Sequence, residues 1–149
     1  MTTNDKFLHS DITSSILQAF YTVHNGLPYG LTLDVYKRAL AIECELLKLK
    51  TECDKEIKIH YKKEIVGSFL IDLVVNDSVI VKIIRDENFD DQHTLDAKNL
   101  LRLSEYEVCL ILNFAEEGEH KRLYFTNDIK KKWRSLLIFT MVFTVIFTM

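Results

Sequence analysis

Proline occurs once in this 149-residue chain, at Pro28, and glycine four times. That scarcity excludes collagen-like and other Gly/Pro-rich fibrous structures. The three cysteines, Cys44, Cys53 and Cys109, form no C-x-x-C pair, which argues against a disulfide framework and a zinc cluster. Cys44 lies in a helical pattern and Cys109 in a strand pattern, so buried free thiols in a reducing compartment are expected. A surplus of one charge is missing too. Nineteen Lys and Arg against 22 Asp and Glu leave a net charge of −3, without the basic excess typical of phosphate-binding proteins. The first residues, MTTNDKFLHSD, lack a basic-then-apolar leader, so a cytoplasmic body is expected. With 48% hydrophobic residues and so little net charge, disorder is excluded for most of the chain.

Charge is also absent from the last stretch. Leu136 to Met149 holds fourteen residues, eleven apolar and three threonine. As a helix it would span about 21 Å, short of a hydrocarbon core of roughly 30 Å. The preceding Lys130-Lys131-Lys132-Trp133-Arg134 cluster would suit a positive-inside anchor. Thr140, Thr144 and Thr148 would share one helical face, while the β-branched residues also permit a strand. Docking on the body, partial insertion in a membrane and an aberrant extension are all compatible with this composition. The expected organisation is an extension over 1–9, a domain over 10–134 and an apolar tail over 135–149.

What is present upstream alternates helices and strands. Ser10 or Asp11 can cap a helix carrying Ile12, Ile16, Ala19, Phe20 and Val23, which should end in the Asn25–Gly30 stretch. A second helix is expected from about Leu31 to Lys50, with Leu31, Val35, Ala39, Ile42 and Leu46 as its apolar stripe. Strands follow at Glu56–Tyr61, at Ile65–Val75 and at Val79–Ile84. The second should set Phe69, Ile71, Leu73 and Val75 on one face and Asp72 on the other. The third is apolar on both faces except for Lys82 and should be central. A helix over Asp90–Ser104, strands at Val108–Phe114 and Arg122–Thr126, and a helical Asp128–Arg134 complete the order. The pattern α-α-β-β-β-α-β-β implies an α/β fold with one mixed sheet flanked by helices.

That order, with particular residues on it, resembles the GxxExxY family of the PD-(D/E)XK nuclease superfamily. Val23-His24, Leu27, Gly30 and Tyr36 carry the resemblance, followed by Ala39, Leu40 and Glu43. Asp72 leads the stretch IDLVVNDSVIVK, similar to the family's D-L-I-V-x-x-x-V-I-V-E-x-K. His93, Leu101-Arg102-Leu103 and Leu110 to Phe114 complete it. The resemblance implies a restriction-endonuclease-like core and Mg²⁺ held by carboxylates from neighbouring elements. The metal polarises the phosphate and activates water. An acid-x-lysine pair on one strand points both side chains into the same cleft.

At those places this sequence departs from the pattern. The glutamate of GxxExxY is Leu33, so the motif reads GLTLDVY. Asp72 is kept, whereas the glutamate and lysine of E-x-K are Lys82 and Ile84, and the glutamine of the next helix is Asp96. No confident catalytic set remains, no cofactor is expected, and Asp72 would ligate a metal only if activity were retained. The Lys82 ammonium is expected in the emptied metal position, paired with Asp72. The expected role is that of a pseudoenzyme binding nucleic acid or protein. Two rivals are an active Mg²⁺-dependent nuclease with ligands relocated to Asp72, Asp96 and Asp34, and a small protein associated with membrane through Leu136–Met149.

Other residues admit plainer readings. Asp34 reads as an exposed helix acid. Asp86, Glu87, Asp90 and Asp91 are candidate relocated ligands but more naturally cap a helix and complement its dipole. His24 and His93 suggest structural roles near a cleft or helix end. Lys62, Lys63 and the Lys130–Arg134 cluster are candidate phosphate contacts, or a solvated turn and a basic helix end. Gly30 is expected to serve a backbone turn.

Overall fold

The computed structural model describes residues 8–132; residues 1–7 and 133–149, the apolar tail among them, lie outside. Two helices, α1 (Ser10–Gly26) and α2 (Leu33–Leu46), precede strands β1 (Thr51–Tyr61), β2 (Glu64–Val75) and β3 (Val79–Ile84). Helix α3 (Asp91–Leu103) then leads to β4 (Val108–Asn113) and β5 (Glu119–Tyr124). The strands form one sheet in the order β1-β2-β3-β4-β5. Only β3 and β4 run parallel, which the α3 crossover permits; the other neighbours are antiparallel. This is the mixed α/β architecture expected from the pattern of elements.

Two apolar layers hold the sheet. On one side Ile16, Phe20 and Val23 of α1 and Tyr36, Leu40 and Cys44 of α2 pack on Leu73, Val81, Leu110 and Leu112. On the other, Ala97, Leu100 and Leu101 of α3 cover Ile71, Ile80, Ile84, Cys109 and Ile111. Strands β3 and β4 are thus apolar on both faces, as a doubly covered sheet requires.

Several local expectations change. Helix α1 starts after His9 in left-handed conformation, with no side-chain cap from Ser10 or Asp11. The buried face of α2 is Tyr36-Leu40-Cys44, not the Leu31 stripe: Val35, Ile42 and Leu46 are exposed. Both sets satisfy helical spacing, and contact with Phe20 and Phe114 selects the first. Strand β1 begins at Thr51, earlier than expected. Leu95 and Leu103 of α3 are exposed, leaving its buried face to Ala97, Leu100 and Leu101. Strand β2 does not keep one apolar face, because Ile71 packs toward α3 while Leu73 and Val75 pack toward α1 and α2. Its regular alternation breaks at Asp72. The Lys62-Lys63 turn follows expectation, with positive φ at both residues, and Asn76 and Asp77, also at positive φ, turn β2 into β3.

Candidate active site

Asp72 lies where β2 loses backbone partners on both sides. Toward β1, the ladder passes from Cys53↔Leu73 to Lys55↔Ile71 and skips Asp54, whose φ is 55°. Toward β3, pairing stops at Leu73↔Val81, and the strands part. The Asp72 carboxylate fills the gap by accepting the Ile83 N–H at 2.8 Å. Burial pushes its carboxyl above the usual carboxylate range. The Ile83 bond, then the charges of Lys82 and Lys37, oppose that rise, and Asp54 adds to it.

The expected Asp72–Lys82 ion pair is not formed. Continued by one residue, the β2–β3 register would set the two opposite each other. The strands have separated there, so Lys82 acts on Asp72 through its charge, without a direct hydrogen bond or ion pair. A different cation has a direct partner in this region. Lys37 of α2 donates to Asp54 at 2.6 Å and lies 3.6 Å from Asp34. Its bond to Asp54 raises the Lys37 pKa. Neither Lys37 nor Asp54 stood out in the sequence, because they meet only when α2 packs over the β1 irregularity. The signal available was the spacing: Lys37 lies one helical turn after Leu33, on the same face.

The remaining motif positions are dispersed. Leu33 opens α2 and is 42% exposed. Ile84 is buried in the α3-side core. Asp96 accepts from the Gln92 side chain at 2.8 Å, one turn earlier on its own helix. Asp34 pairs with Arg38 at 2.9 Å as an exposed helix acid. Gly30 and Tyr36 shape the connection between α1 and α2. Gly30 has φ 95°, a conformation that favours glycine. Buried Tyr36 stacks on Phe114 at 4.5 Å, donates to the Pro28 carbonyl at 2.6 Å and accepts the Leu31 N–H. Arg85 bonds the Leu31 carbonyl and Tyr29 bonds Glu87, so this connection is tied to the end of β3.

The acidic segment before α3 is organised by local bonds. Asp90 caps the helix by accepting from the N–H groups of Gln92 and His93. His93 Nε2 lies 2.9 Å from Asp86, whose carboxyl is held below its ordinary range chiefly by that bond. Asn113 clamps the backbone of Asp86 through both its side-chain atoms, at 2.9 and 2.7 Å. That clamp was missed in the sequence, where Asn113 read only as the end of a buried strand. His24 Nε2 bonds the Ala115 carbonyl at 2.9 Å and ties α1 to the loop after β4. Lys62 and Lys63 form the exposed β1–β2 turn. Lys130 is not a solvated helix end: it is 5% exposed and donates to the carbonyls of Ser104 and Tyr106.

An acid at the fork of a mixed sheet, with a helix crossing over to a parallel fourth strand, defines a nuclease-like α/β domain. The chain belongs to the PD-(D/E)XK nuclease superfamily, whose family model matches residues 10–123. No curated protein and no solved structure gives a significant match.

Superfamily chemistry uses a divalent metal, and the donors at Asp72 do not fit one. Magnesium needs several hard oxygen ligands. Here one carboxylate is engaged by a backbone N–H, and Lys82 and Lys37 place positive charge around it. Asp34, Asp72 and Asp96 do not converge. Among the described residues, the only three side chains with ligand atoms close enough to share an ion are Asp86, Asp90 and His93. They are already occupied in the helix cap and the Asp86–His93 bond.

Proposed function

We propose that this chain is a GxxExxY-type member of the superfamily that has lost metal-dependent phosphodiester cleavage and retains a binding role toward nucleic acid or protein. One observation carries the reading. Asp72, the one acid kept at the site positions of the motif, is committed to the Ile83 N–H and faces cations where a metal centre needs further carboxylates. A cation at Lys82 opposes Mg²⁺ for the same reason that it eases ionisation of Asp72. Gly30 and Tyr36, in contrast, are kept in structural roles that do not require catalysis. The domain proper is taken as residues 10–134.

The test is an assay of the full chain on single- and double-stranded DNA and on RNA with Mg²⁺ or Mn²⁺. No metal-dependent cleavage is expected. Cutting that needs metal and disappears in Asp72→Ala would overturn the reading. No helix among the described residues is long and apolar enough to cross a membrane. The expectation of membrane contact through Leu136–Met149 falls on residues outside those described.

A further inference from the structure

We propose that two copies of this chain associate through the outer edge of β1, forming a continuous sheet about a two-fold axis at Ile57. Among the described residues, strand β1 is an edge of the sheet, bonded only to β2. Strand β3 accompanies β2 only from Leu73 to Val75. The rest of β1 and β2 therefore projects as a two-stranded ribbon. Ile57, Ile59 and Phe69 are only partly buried on it, and Tyr61, Ile65, Val66 and Leu70 are exposed. Such a ribbon is marginally stable in water unless something covers it. An unpaired edge also presents a row of free backbone donors and acceptors.

Charge identifies the occupant as a second copy. Between the break at Asp54 and the register shift after Ile59, residues Lys55 to Ile59 form a regular ladder. Its central part, Glu56-Ile57-Lys58, is self-complementary when run antiparallel about Ile57. Ile57 then meets the partner's Ile57. Glu56 faces the partner's Lys58, and Lys58 faces the partner's Glu56. Directly opposed side chains in an antiparallel pair interact strongly enough to fix register. Moving the axis one residue either way would oppose Glu56 to Glu56 or Lys58 to Lys58, so one alignment is favoured. On the α3 side, the Ile57 side chains of the two copies meet beside Phe69, which pairs with Ile57 across the ribbon, and each Ile59 lies opposite the partner copy's Lys55. The contact is isologous and closes on itself, as most soluble homo-oligomers do.

Sedimentation equilibrium of the full chain tests this. The wild type should be dimeric. Glu56→Lys, which opposes like charges twice by symmetry, should sediment as a monomer while keeping its far-UV spectrum. Glu56→Lys combined with Lys58→Glu restores opposite charges and should be dimeric again. A Cys53→Ser/Ile57→Cys chain should cross-link to itself under mild oxidation. A monomeric wild type, with the edge left for another protein or a nucleic acid, overturns the proposal. So does association that Glu56→Lys leaves intact, as contact through the apolar tail would be, or that the double exchange fails to restore.

Discussion

Asp72 and Tyr36 show how a motif residue can also serve the fold. The Asp72 carboxyl has a raised pKa in the folded chain, chiefly through burial. The folded state therefore binds that proton more tightly than the unfolded state does. Stability falls as pH rises from the unfolded pKa through the raised folded pKa, and the cost persists above it. Asp72→Asn keeps an acceptor for the Ile83 N–H and removes the charge. It should melt above the wild type at neutral pH, and the gain should fade toward acid pH in thermal scans. Asp72→Ala leaves that N–H without its partner and should cost about 1–3 kcal/mol in denaturant unfolding. Tyr36→Phe removes the bonds to Pro28 and Leu31 and should cost about 1–2 kcal/mol, with the Phe114 stacking kept. Cys44 and Cys109 are buried, and burial pushes both thiols up to about 12. A thiol reagent should therefore titrate only Cys53 in the native chain and all three cysteines after denaturation. Gly30 and Tyr36 were legible as a motif. The turn role of Gly30 was legible too, but the structural purpose of Tyr36 was not, because its stacking partner Phe114 is remote in sequence.

Elements were read better than their faces. Strand β3, with one lysine in an apolar run, was legible because a doubly buried strand leaves no other pattern. Helix α3 was legible because Asp90 precedes it as a cap. Asp90→Ala should cost about 1 kcal/mol, and Asp90→Asn much less, measured by chemical denaturation. The face of α2 was not legible, since two stripes fit the helical period and packing chose between them. The change of face in β2 was hidden for a different reason. It coincides with the positive φ of Asp54 on the neighbouring strand, and periodicity along β2 carries no trace of its partner's backbone.

In the whole molecule, two cores sandwich β3 and β4, while the site lies at the fork where β2 leaves β3. That arrangement keeps the fold independent of catalysis, because the core residues and the motif acids are different sets. The exchange of Glu for Leu33 and Lys82 that the proposed reading assumes would thus leave the architecture standing. The balanced charge of the chain agrees with the proposed exchange of acids for Leu33 and Lys82, but the fork itself is visible only in the folded chain. The most direct measurement is calorimetric titration of Mn²⁺ into the wild type and into the triple variant Leu33→Glu/Lys82→Glu/Ile84→Lys. The wild type should show no binding that depends on Asp72, and the triple variant should gain it, lost again on Asp72→Ala. Binding to the wild type that Asp72→Ala abolishes would contradict the loss of the metal centre.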